Sequence, residues 1–356
     1  MSKEKKIKSF NPNDLANVNN NIFGLPFNIE ESEVILIPVP WNVTVSYKEG
    51  AAKAPEAIFK ASFQVDLYDA YVEDAWKYGI SMDPVPMYWT ELNKNLRKKA
   101  EEHIKYLETK DFEKTSFKHI KKIRAIRNEI NNECKNLNKW VKEQALAYLN
   151  KNKIVGVVGG DHSSSLGLLQ ALSEKHKDFG LLQIDAHADM RKAFEGFAYS
   201  HASAMYNASK IQQITRIVQI GIRDYCEEEV QFINSPVNRV ITFFDRDIQH
   251  QLFSGKLWKD IVNDIISKLP ELVYISFDID GLDPKLCSHT GTPVPGGFNL
   301  EQMIFLFEKL IESGKKIIGF DLCEVVPSPN EWDENVGARV IYKLSNIAAK
   351  SKRMKA

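Results

Sequence analysis

The stretch LLQIDAHADMR, Leu181 to Arg191, decides how the chain is read. It opens on an apolar run and then places Asp185, His187 and Asp189 at alternate positions. The run has the length and composition of a buried strand. Three groups that are costly to bury follow it directly, so the chain must leave the sheet where those groups have something to bind.

Similar runs recur along the sequence: EVILIPV (Glu33 to Val39), KIVGVVG, FGLLQID, RIVQIG, RVITFF, LVYISFDID and KIIGFDL. Each is short and rich in β-branched residues, as strands are. Between most of them lie segments with helical spacing and few Gly or Pro, such as SSLGLLQALSEKH and LEQMIFLFEKLIESG. The alternation predicts an α/β fold of three αβα layers, a mainly parallel sheet with helices on both faces. We expect a single domain over residues 31–356 preceded by an N-terminal arm over 1–30. The charged stretch from Asp111 to Asn150, free of Gly and Pro, predicts one long helix or two on a solvated or subunit-facing surface, and a helical insertion is expected around residues 83–133.

Lys plus Arg and Asp plus Glu each number 47, so no bulk field draws the chain towards nucleic acid or an anionic membrane. The cysteines Cys134, Cys226, Cys287 and Cys323 are far apart and form no CxxC pair, which reads as reduced thiols in a cytoplasmic protein. The basic start MSKEKKIKSF leads into NPNDLANVNN instead of an apolar stretch, and no run is long enough to cross a membrane. We expect a soluble, unexported protein with a small-molecule partner.

Acid- and histidine-bearing clusters follow three of the strands: GVVGGDHSSS with Asp161 and His162, QIDAHADM with Asp185, His187 and Asp189, and SFDIDGLDP with Asp278, Asp280 and Asp283. In a parallel sheet the carboxyl ends of the strands share one edge, where ligands bind. Singly, Asp161 or Asp283 reads as a cap or turn residue and GG as a strand-to-helix turn. Together, several carboxylates at one edge repel one another unless cations neutralise them. Two histidines and four aspartates suit two divalent ions that share carboxylates. Oxygen-rich ligation favours manganese-like ions, and this donor set does not choose among manganese, nickel, iron and cobalt. Two such ions can activate a water for hydrolysis at carbon or phosphorus.

The ordered set GGDHS, DAHAD, SHAS, SFDIDGLDP, GTPVPGG and GFDLCEV, from Gly159 to Val325, resembles the ureohydrolases, the family of arginase and agmatinase. PVPWNVTVSYKEGAAKAPEAI is a weaker match after the first strand. The resemblance implies an arginase-like αβα fold with two Mn²⁺, or alternatively Ni²⁺. Carried over by position, it implies His162, Asp185, Asp189 and Asp278 as ligands of one ion and Asp185, His187, Asp278 and Asp280 of the other. It further implies that Asp189 orients the attacking water, Glu324 holds the guanidinium, His201 passes protons and Thr292 lines the site. Gly291, Gly296 and Gly297 fit tight turns.

The resemblance also bears on the substrate. Arg191 stands where arginases keep a carboxylate-binding asparagine, and Cys226 where they keep an aspartate for the α-amino group, which argues against arginine. DAHADMRKAFEGFAYSHASAM looks more like agmatinases, so agmatine, hydrolysed to putrescine and urea, is the expected substrate. Guanidine hydrolase is the alternative, suggested by VPWNVTVSY and by Trp41, Tyr47, Trp76 and Trp89 as aromatics that can roof a small pocket or simply pack. Guanidinobutyrase stands behind it. A binuclear metallophosphoesterase is the reading outside this chemistry, but it calls for cations where the motifs supply Glu324. Family members assemble as trimers or hexamers, which implies a homo-oligomer.

Overall fold

Each of the seven apolar runs forms a strand, and an eighth strand joins them at one edge. The structure is a computed structural model that describes residues 2–109, 117–235 and 239–354. In chain order the strands are β1 (Val34–Pro38), β2 (Ile80–Met82), β3 (Ile154–Val158), β4 (Phe179–Ile184), β5 (Ile214–Ile222), β6 (Val240–Phe244), β7 (Leu272–Asp278) and β8 (Lys316–Cys323). Every pairing is parallel, and the sheet order is β2-β1-β3-β8-β7-β4-β5-β6. The edge strand β2 has three residues, too few to show a periodicity in the sequence.

Side chains alternate between two covered faces, so neighbours in one strand enter different cores. Leu182 and Ile184 pack on one side with Ile275, Phe277 and the helix Trp332–Arg353. Leu181 packs on the other with Val155, Val157, Tyr274 and the helix Phe117–Leu149. Both faces are thus buried, as a three-layer fold requires.

The order of strands explains why distant motifs meet. After β3 the chain skips two positions to lay down β4, and β7 and β8 later fill the gap. Four adjacent strands, β3, β8, β7 and β4, therefore end side by side, and their carboxyl ends lead into GGDHS, CEV, DID and DAHAD. This is the switch point at which an open α/β sheet binds ligands.

Within the charged stretch, residues 110–116 lie outside the described residues, and from Phe117 the chain is helical to Leu149. A further helix, Met87–Thr109, packs beside it. Ile123, Ile126, Ile130, Cys134, Leu137 and Val141 recur at three- and four-residue spacing and are buried. One face of this helix thus belongs to the core, in place of the solvated or subunit-facing helix expected from its charge. In the first thirty residues Ile22, Phe23, Leu25 and Phe27 are buried, with Phe23 against Tyr342 at 4.8 Å between ring centroids.

The turn after β3 requires its second glycine. A Cβ on Gly160 would lie 1.9 Å from the Trp41 carbonyl oxygen, which accepts the Asp161 N–H at 2.7 Å. Gly160→Ala is expected to lower stability by about 1–3 kcal/mol, read from the urea unfolding midpoint; an unchanged midpoint would contradict so close an approach of the two backbones.

Candidate metal centre and substrate cavity

His162 begins a helical turn whose N-cap is Asp161, with the Asp161 carboxylate accepting the Ser163 N–H at 3.0 Å. Asp161 thus takes its capping reading and is not among the clustered donors. Asp283 does likewise: its carboxylate accepts the Lys285 N–H in a surface turn.

The remaining acids converge. His162 Nδ1 lies 2.8 Å from Asp189 Oδ2, 3.1 Å from Asp185 Oδ2 and 3.5 Å from Asp278 Oδ2. His187 Nδ1 lies 3.1 Å from Asp280 Oδ2 and 3.7 Å from Asp185 Oδ1. Two groups of donors result, His162 with Asp185 and Asp278, and His187 with Asp185 and Asp280. Asp185 belongs to both.

Backbone N–H groups hold these carboxylates by one oxygen each. His187 N donates to Asp185 Oδ1, Ala186 N to Asp280 Oδ1, and Asp280 N to Asp278 Oδ1, at 2.6, 3.0 and 3.0 Å. The second oxygens of Asp278 and Asp280 face His162 and His187. Despite the short approaches, His162 Nδ1 and Asp280 Oδ2 are buried and make no hydrogen bond. Lone pairs that converge without a proton between them are what a divalent cation satisfies, so the donor set fits two such ions.

A polar row through the sheet supports the cluster from below. Asp321, Ser276, Gln183, Gln219 and Thr242 are aligned in register across β8, β7, β4, β5 and β6. Tyr274 and Ser276 donate to Asp321 Oδ2, at 2.6 and 2.8 Å. With its proton given to Asp321, Ser276 Oγ accepts from His162 Nε2 at 2.8 Å, which leaves the Nδ1 lone pair for the cluster. Gln183 donates to Asp185 Oδ2 at 2.7 Å and accepts from Gln219, which in turn accepts from Thr242.

Protonation follows from burial and crowding. Burial, then the neighbouring Asp280 and Asp185 charges, hold Asp278 well above the ordinary carboxylate range, and burial with Asp185 pushes Asp189 up to about 7. Burial opposes charge on His162, yet the Asp185 and Asp189 carboxylates hold it well above its usual value. For His187, Asp280 and Asp185 likewise outweigh burial. His201 goes the other way: burial, then the nearby His187, lower it to about 4, so its imidazole is neutral near pH 7 instead of poised to titrate there.

Glu324 closes the site. It is buried in a left-handed conformation, φ 63°, with its N–H on the Gly160 carbonyl and its Oε1 accepting the His162 N–H at 3.0 Å. Asp189 is also left-handed, φ 54°. Strained non-glycine residues of this kind gather at functional sites. Burial, then Asp161, hold the Glu324 carboxyl well above its usual range.

The cavity above the cluster has a volume of about 150 Å³ and is lined by Asp189, His201, Thr292 and Glu324 among the expected residues. The chain reading did not single out Phe194, Asp224, Tyr225 and Glu229, which also line it. Arg191 lies over the Phe194 ring at 4.9 Å and approaches Glu229 at 3.8 Å. Glu229 is buried and accepts the N–H groups of Met190 and Cys226. Gly296 and Gly297 are left-handed, φ 102° and 92°, in the expected tight turn. Trp41 and Trp89 pack edge to face in the core, Trp76 packs against Phe10 and Phe27, and Tyr47 is exposed; none of the four lines the cavity.

Comparison with known proteins settles the family. The sequence model of the Arginase family matches residues 32–345. The chain belongs to the arginase family. It is 29% identical over 313 residues to the N(1)-aminopropylagmatine ureohydrolase of Thermus thermophilus, covering 88% of this chain and 89% of the relative. It is 23% identical over 309 residues to an agmatinase of Bacillus cereus, covering 86% and 87%. The agmatine ureohydrolase of Thermoplasma volcanium has the same fold, with a TM-score of 0.69 at 22% identity over 98% of this chain and 99% of that one. This arginase-family chain is a hydrolase of guanidino compounds, and the family depends on a binuclear metal centre. Membership removes the phosphoesterase reading. Among the described residues no helix is long and apolar enough to cross a membrane.

Because Asp185 serves both donor groups and Asp280 one, their substitutions should differ. Elemental analysis is expected to find about two ions per wild-type chain, about one in Asp280→Asn, and close to none in Asp185→Asn. Full occupancy in Asp185→Asn would contradict its shared position.

Proposed function

We propose that this chain hydrolyses an alkylguanidine with a cationic tail, agmatine or a close extension of it, to urea and the corresponding amine, with two Mn²⁺ ions as cofactor and Ni²⁺ as the alternative. The observation that carries the substrate class is the charge of the cavity. Outside the His/Asp cluster and Glu324, its charged side chains are Arg191, Asp224 and Glu229, and Arg191 is turned onto Glu229 and Phe194. Asp224 lines the cavity and is exposed, its Oδ2 3.9 Å from His187 Nε2. An ammonium tail meets a carboxylate there, whereas the α-carboxylate of arginine or the acid of guanidinobutyrate finds no free cation. The aminopropylagmatine ureohydrolase and agmatinase relatives carry names that agree with this reading.

In this reading His162, Asp185, Asp189 and Asp278 hold one ion, and Asp185, His187, Asp278 and Asp280 the other. Bound there, the ions supply a water of lowered pKa at neutral pH. Glu324 accepts N–H groups of the planar guanidinium and places its carbon beside the cluster. Asp189 accepts a hydrogen bond from the water and fixes its lone pair towards that carbon. Neutral His201 can take up a proton at the cavity wall and return it to the departing amine. Thr292 borders the guanidinium. The amine and urea then leave through the mouth beside Asp224.

The test is urea release by the Mn²⁺-loaded protein from agmatine, N(1)-aminopropylagmatine, arginine, 4-guanidinobutyrate and free guanidine. We expect kcat/KM for one of the two amines to exceed that for arginine and 4-guanidinobutyrate by about 100-fold, the size of discrimination expected when a like charge is set against the wrong substrate. Dominant turnover of free guanidine or of an acid would overturn the substrate class while leaving the family and the donor set in place.

A further inference from the structure

Phe194 owes its place to a tight hairpin. Phe194 and Phe197 pair antiparallel and exchange both N–H···O=C bonds, at 3.2 and 2.8 Å. The two residues between them, Glu195 and Gly196, are both left-handed, φ 54° and 82°, which makes a type I′ turn. Gly suits such a position and Glu does not, so something outside the turn must hold it.

Two helices do so. His103, buried on the helix Met87–Thr109, has Nε2 2.7 Å from the Glu195 carbonyl oxygen. Its ring packs on buried Phe197 at 5.0 Å between centroids. Asn131, on the helix Phe117–Leu149, donates Nδ2 to the Gly196 carbonyl at 3.2 Å and accepts the Ala198 N–H at 2.8 Å. Burial lowers the pKa of His103, which keeps its imidazole neutral, with one proton for the Glu195 carbonyl. Three backbone groups of the turn, the carbonyls of Glu195 and Gly196 and the N–H of Ala198, are therefore bound by side chains of these helices.

The hairpin reaches the cavity through Phe194, which lines it. Phe194 carries the Arg191 guanidinium and stands edge-on to His201, with 6.1 Å between ring centroids. We infer that the helix pair is a clamp for the substrate cavity, in which His103 and Asn131 are positioning residues that set the Phe194 wall and, through it, Arg191 at the mouth. Neither touches the His/Asp cluster, so the clamp governs how the substrate tail is seated and not the supply of activated water. This inference rests on the reading that the cavity takes the guanidino substrate.

The experiment compares steady-state urea release and metal content for wild type, His103→Leu, His103→Gln and Asn131→Ala. His103→Leu and Asn131→Ala are expected to raise KM for the best amine substrate by about fivefold or more, with kcat within about threefold of wild type and full metal content. His103→Gln keeps an N–H near the Nε2 position and is expected to restore KM to within about twofold of wild type. The half-buried Asn131 keeps the test open should His103→Leu fail to fold. An unchanged KM in Asn131→Ala, or a loss of kcat and metal together, would overturn the clamp. Failure of the wild-type protein to release urea from any guanidine would instead overturn the functional reading on which it rests.

Discussion

The structure depends on the mutual repulsion of carboxylates forced together at one sheet edge. Asp185, Asp189, Asp278, Asp280 and Glu324 are all buried within one small volume. Hydrophobic packing does not demand this arrangement, since both faces of the sheet are filled by aliphatic and aromatic side chains. Asp185, Asp278, Asp280 and Glu324 are instead each fixed by a backbone N–H on one carboxylate oxygen. Protons relieve part of the charge, as the raised pKa values of Asp189 and Asp278 indicate. Divalent cations relieve it more fully, and they would satisfy the buried nitrogen of His162 and oxygen of Asp280 that lack hydrogen bonds.

Much of this was legible in the chain because two periodicities are simple. Apolar runs of five to nine residues read as buried parallel strands, and acids placed immediately after them must sit on the carboxyl edge. What could not be read was order. That β7 and β8 enter between β3 and β4 is a consequence of packing across the whole sheet, and without it the motifs would be separated by intervening strands. The edge strand β2 escaped because Ile80–Met82 is shorter than any recognisable pattern.

One readable signal was passed over. Gln183, Gln219, Thr242, Ser276 and Asp321 each interrupt an apolar run shortly before it ends, a position at which a buried polar group needs a partner. Their alignment into a row reaching His162 and Asp185 required the register. The cavity wall was less accessible to sequence reasoning. Glu229 looks like an ordinary first-turn acid of a helix, and only the fold turns it towards Arg191. His103 and Asn131 sit on charged helices, so nothing in their immediate neighbours marks them as ligands of a distant turn.

The central claim is that cations are part of the folded state of this edge. Its most direct measurement is thermal unfolding of chelator-stripped protein, verified ion-free by elemental analysis, titrated with Mn²⁺ while urea release is followed in parallel. Ions bound only by the native cluster must raise the unfolding midpoint as they fill it. The account predicts that midpoint and activity rise together and level off near two ions per chain; an ion-free protein with an unchanged midpoint and full activity would contradict it.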